Sequence, residues 1–117
     1  MKNLSIFLFL ISSVYAQSFS EIREANIKIL NSSIKVYKDR IECIENGNNA
    51  KKCIEKHPSP QFENMPNRDS LGKLMINMFP TTYYLNILKR DIKVMEKEKL
   101  CWGKSMNFDE VKECLVD

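Results

Sequence analysis

Residues 21–45 read EIREANIKILNSSIKVYKDRIECIE, and the spacing of the apolar side chains in this stretch decides the fold. Ile27, Leu30, Ile34, Tyr37, Ile41 and Ile44 follow one another at alternating steps of three and four. That is one face of a helix with 3.6 residues per turn. Ile22, Ile29, Val36 and Cys43 form a flanking stripe that repeats every seven residues. Together they make an apolar face wide enough to pack against more than one neighbour. Ser18-x-x-Glu21 fits a capping box at its start, and Asn46-Gly47 supplies a left-handed stop at its end. Asn31-Ser32-Ser33 are poor helix formers, so a kink is expected there.

The remaining chain reads the same way. Asn49 caps a short helix from Ala50 to about Lys56, which must stop before Pro58. Pro58, Pro60 and Pro66 make residues 57–68 an irregular connector that Phe62 and Met65 would pin to the core. Asp69 or Ser70 opens a pattern of Leu71, Leu74, Met75, Met78 and Phe79 that Pro80 breaks. Thr81 or Thr82 is then expected to cap a long helix from about Tyr83 to Trp102, with Leu85, Leu88, Ile92, Met95 and Trp102 inside. The outer residues Lys89, Arg90, Lys93, Glu96, Lys97 and Lys99 mix signs and read as a solvated face. Gly103 is expected to close this helix, and Asn107-x-x-Glu110 to open a last short one ending near Leu115. No stretch alternates with period two between hairpin turns. The predicted fold is all-α: two long antiparallel helices, a third medium helix over their seam, and two short disulfide-clipped helices.

Four cysteines, Cys43, Cys53, Cys101 and Cys114, allow three pairings. The segments Cys43–Ile54 and Cys101–Leu115 echo each other. Each starts with a Cys at the end of a long helical pattern and crosses a polar turn with Gly and Asn. Each then closes on apolar, Lys, charged or basic, Cys, aliphatic. That favours local clips, 43–53 and 101–114, over the cross-pairing 43–114 with 53–101, which would need both regions at one end of the molecule. The Cys43-x9-Cys53 spacing resembles that of twin-Cx9C helical hairpin proteins, but the second pair is Cx12C and those proteins lack a signal peptide of this kind, so the resemblance is read as coincidental. One histidine and no closely spaced Cys pairs argue against zinc, and no Cys-x-x-Cys redox motif is present.

Met1 to Ala16 has a basic start at Lys2, an apolar stretch from Leu4 to Ile11 and the small-residue pattern Val14-Tyr15-Ala16, which reads as a secretory signal peptide. The apolar run is about half the ~20 residues of a spanning helix. Residues 17–117 are then expected to be one helical domain, exported to the periplasm or secreted, where disulfides persist and without stable membrane insertion. The chain of 117 residues has 18 basic and 15 acidic side chains, formally +3, too balanced for binding nucleic acid by phosphate neutralisation.

Sites are sparse. His57 has no Ser, Cys or Asp in recognisable catalytic spacing and reads as an exposed loop residue. Glu42, Glu45 and Glu55 read as solvated helix-end charges, and Asn31-Ser32-Ser33 is an N-x-S sequon inside a helix. No metal or cofactor motif appears, and no catalytic activity is expected. The most suggestive patch runs from Met75 to Tyr84, where Pro80 breaks an apolar run, and its contact residues are expected to be Met78, Phe79, Tyr83 and Tyr84. Adjacent helical residues point about 100° apart, so the two tyrosines cannot both face the core. This patch is expected to contact a protein or peptide partner. The alternatives are a carrier holding a small apolar ligand or lipid between the helices and, more remotely, a small enzyme.

Overall fold

A computed structural model describes residues 18–60 and 69–116. The signal-peptide reading of Met1–Ala16 and the pinning role of Phe62 and Met65 lie outside the described residues. Of those described, 85% are helical and none is in a strand. Five helices run in order: α1 (Phe19–Glu45), α2 (Ala50–Lys56), α3 (Asp69–Met78), α4 (Thr81–Lys104) and α5 (Phe108–Val116).

α1 and α4 form the body of a molecule whose extents are 52 × 26 × 21 Å. They are antiparallel. Near one end Ile44 and Tyr37 of α1 pack with Tyr84 and Leu88 of α4, and near the other Leu30 and Phe19 pack with Trp102. Cross-helix ion pairs keep the same register, Glu45 with Lys89 at 3.2 Å and Lys38 with Glu96 at 3.6 Å. α1 runs unbroken through Asn31-Ser32-Ser33, because Leu30 and Ile34 on either side are buried against the body and outweigh weak local propensity.

Caps set the helix ends. Ser18 Oγ accepts from the Glu21 amide at 3.2 Å, and Asn49 Oδ1 accepts from the amides of Lys51 and Lys52. Gly47 sits at φ +94°, the left-handed conformation that follows α1. The Glu110 amide donates to Asn107 Oδ1 at 2.9 Å while Glu110 Oε1 accepts from the Met106 amide at 2.7 Å, a reciprocal cap for α5.

Two expectations about the ends of α4 are corrected. Neither Thr81 nor Thr82 is the cap of α4: Pro80 occupies that position in extended conformation, its carbonyl accepts from the Tyr83 amide at 2.9 Å, and both threonines are already helical. Gly103 does not close α4, which continues to Lys104; Ser105 follows in extended conformation and its hydroxyl donates to the Cys101 carbonyl at 2.6 Å. α3 packs on α2 and α4 and reaches α1 through Asp69 and Arg40, and none of its residues is fully buried.

The two disulfides are Cys43–Cys53 and Cys101–Cys114, with Cα atoms 5.8 and 5.6 Å apart. Each ties the last turns of a long helix to the short helix that follows it. Cys53 and Cys101 are fully buried.

Candidate functional site

The corner where α3 turns into α4 gathers three of the side chains predicted to make contact, Met78, Phe79 and Tyr83, with Leu71 and Leu74 beside them. Leu71, Leu74 and Met78 share one face of α3 at helical spacing, and Phe79 and Tyr83 continue it across Pro80. Their exposures run from 44% to 64%. The Phe79 and Tyr83 rings pack at 4.7 Å between centroids. Met78, Phe79 and Tyr83 therefore stand together at the surface.

Tyr84 does not join them. It is 4% exposed, packed with Ile44, Ile54 and Leu88 in the core, and its place as a contact residue is corrected. Of the two adjacent tyrosines, Tyr84 is in step with Leu88 and Ile92, so the core takes it and leaves Tyr83 outside.

The group that holds this corner is announced by no motif in the sequence. Arg40 of α1 is 3% exposed. Its Nε donates to the His57 carbonyl at 2.8 Å and Nη1 to the Tyr84 hydroxyl at 3.1 Å. Nη2 donates to Ser59 Oγ at 3.3 Å and to Asp69 Oδ1 at 2.9 Å. The guanidinium also lies 5.6 Å from the Tyr37 ring centroid. Asp69, first residue of α3, accepts from the Ser59 amide at 3.0 Å and from the Ser59 hydroxyl at 2.6 Å. One cation thus joins α1, the end of α2, the start of the connector, the start of α3 and the start of α4.

The electrostatics follow from that packing. Burial alone would raise the Asp69 pKa, but the Ser59 hydroxyl and amide and the Arg40 charge outweigh it and hold the carboxyl below the usual 3.8. Burial pushes the Tyr84 hydroxyl above its usual 10.0, with Arg40 opposing. Gly72 is the contact point of α3 with the core: a Cβ there would meet Ile54 Cδ1 at 3.3 Å and the Tyr84 hydroxyl at 3.7 Å. A hollow of about 270 Å³ opens beside it, lined by Tyr37, Leu71, Met75, Ile87 and Asp91 among others.

The other candidates are dispersed. His57 follows α2 half-buried, its Nδ1 3.9 Å from Asp39, not free in a loop. Glu45 pairs with Lys89 and Glu55 with Lys73, each across to another helix. Among the described residues no three His, Cys, Asp or Glu side chains are placed to hold a metal ion, and no helix is long and apolar enough to cross a membrane.

Comparison with known protein families, with curated proteins and with solved structures finds no match.

Proposed function

We propose that this protein is a small exported binding module, periplasmic or secreted, that holds a protein or peptide partner on the α3–α4 corner and carries out no catalysis. The observation that supports the reading is the exposed apolar face of Leu71, Leu74, Met78, Phe79 and Tyr83 on a helix with no buried residue of its own. A helix fixed at its start by an ion pair, which touches the core only through half-buried residues such as Gly72 and Ile76, leaves most of its apolar side chains for presentation. Met and aromatic side chains suit this task because they offer large apolar area and adapt to the partner's shape. Export is supported by two disulfides that persist in an oxidising compartment. The enclosed-carrier alternative gains no support from the core, where Leu30, Ile34, Leu88 and Ile92 fill the space between α1 and α4.

The test is capture from the native envelope or culture fluid with wild-type protein and with Met78→Ser/Tyr83→Ser. Both positions are exposed, so the double variant keeps the fold. A partner retained by the wild type and lost by the double variant supports the reading; retention of every partner rejects it.

A further inference from the structure

A second feature stands apart from the α3–α4 corner, on the flank of the bundle near its other end. Ile27 of α1 faces Leu100, Gly103 and the stems of Glu96, Lys99 and Lys104 of α4 across an open groove of about 480 Å³. This lies within the roughly 300–1,000 Å³ typical of small-molecule sites. Leu100 is 63% exposed, although it lies one residue before a fully buried cysteine.

Gly103 forms part of its wall. It sits inside α4 and does not take the left-handed conformation, so the turn does not require a glycine. No neighbouring chain approaches closely either: a Cβ built there meets nothing within 4 Å. A glycine in a helix costs stability relative to alanine. Its physical consequence here is open space beside Leu100 and Ile27.

The groove's lining carries two lysines and one carboxylate. Lys99 and Lys104 are five residues apart, about 140° around the helix axis, so they stand on opposite sides of Leu100 and Gly103. Neither is held in an ion pair among the described residues. The single carboxylate of the lining, Glu96, is engaged by Lys38 of α1 at 3.6 Å. An apolar floor between two ammonium groups fits a molecule with one apolar chain and one anionic head.

We propose that this groove binds a free fatty acid, its alkyl chain laid against Ile27, Leu100 and Gly103 and its carboxylate at Lys99 or Lys104. The site is an open seam on the surface, independent of the α3–α4 corner, and it stands or falls apart from the partner-binding reading. Binding should follow chain length, because each methylene buried strengthens it by up to about fourfold. It should also favour the carboxylate over an alcohol of equal length by a few-fold, since exposed ion pairs are weak.

The experiment titrates the purified protein with dodecanoate, decanoate, dodecanol and dodecyltrimethylammonium below their aggregation concentrations, followed by amide chemical shifts. The expected result is saturable shifts at residues 27 and 96–104, with dodecanoate tighter than decanoate and than dodecanol, and the cation weakest. Gly103→Leu fills the groove from a position with free space and should lower dodecanoate affinity at least about tenfold, while thermal unfolding shows no loss of stability. Lys99→Gln/Lys104→Gln, both exposed, should remove the preference for dodecanoate over dodecanol and leave chain-length dependence intact. Equal binding of the cation, unchanged affinity in Gly103→Leu, shifts scattered over the surface, or binding to phosphatidylglycerol vesicles without binding of monomeric dodecanoate would each overturn the proposal.

Discussion

The two ends of this bundle carry the same fastening and different fillings. At one end Cys43–Cys53 ties α1 to α2; at the other Cys101–Cys114 ties α4 to α5, with closed loops of similar length. The first end is built around Arg40, whose guanidinium reaches Tyr84, Ser59, Asp69 and the His57 carbonyl. The second is built on aromatic packing: Phe19 lies stacked on Trp102 at 5.8 Å, and Phe108 meets Phe19 edge-on at 5.0 Å. The difference follows from what each end must hold. α5 follows α4 after a short turn, and apolar cover with local hydrogen bonds at Ser105 and Glu110 holds it. At the Arg40 end the chain leaves α2 through a proline-rich connector and returns as α3, which fully buries no side chain. Directional bonds to a charged group can fix such a helix where apolar burial cannot.

Removing the charge at the polar end should therefore have the largest effect. Arg40→Met leaves the buried Tyr84 hydroxyl and the Asp69 carboxylate without their cation and should cost about 3–5 kcal/mol in urea unfolding, enough to leave a domain this size marginal. Trp102→Ala at the aromatic end should cost about 3 kcal/mol by the same measurement, from lost apolar area and the cavity left behind. A larger loss from Trp102→Ala than from Arg40→Met would reverse the comparison.

The staples should be nearly equal. Cys43→Ala/Cys53→Ala and Cys101→Ala/Cys114→Ala should each lose about 2–3 kcal/mol, because their loops differ little in closure entropy. Peptide mapping without reduction gives the direct check on pairing: a peptide joining Cys43 to Cys114 would contradict the local clips.

Acid should weaken the Arg40 end through Asp69. The folded-state pKa of Asp69 is lowered, so its contribution to stability is present above the unfolded carboxyl value of about 3.9 and is lost as pH falls through the lowered folded value. Between about pH 5 and about pH 2 the urea midpoint of the wild type should fall more than that of Asp69→Asn, which has no proton to take up at this site. Parallel curves would mean that Asp69 does not report the ion pair.

How much of this was legible in the sequence depended on the range of the interactions. The helices were, because their signals are local: the three-and-four step from Ile27 to Ile44, the Ser18 and Asn107 caps, and Gly47 at positive φ. The disulfide pairing was legible because the two Cys segments echo each other and each clip closes a short loop. Arg40 was not. It lies on the apolar face, three residues after Tyr37 and four before Ile44, which is a signal that a charge is buried. Its acidic partner, however, is 29 residues away beyond the connector, and no local pattern connects them. Tyr84 differs: its place was legible, because it stands four and eight residues before Leu88 and Ile92 and so shares their buried stripe, whereas Tyr83 does not.

Amide hydrogen exchange on wild-type protein and on Asp69→Asn tests most directly the claim that α3 is held by the Arg40 cluster. The account expects the amides of α3 (Asp69–Met78) to lose protection in the variant while those of α1 and α4 keep theirs. Unchanged protection in α3, or an equal loss throughout all five helices, would contradict it.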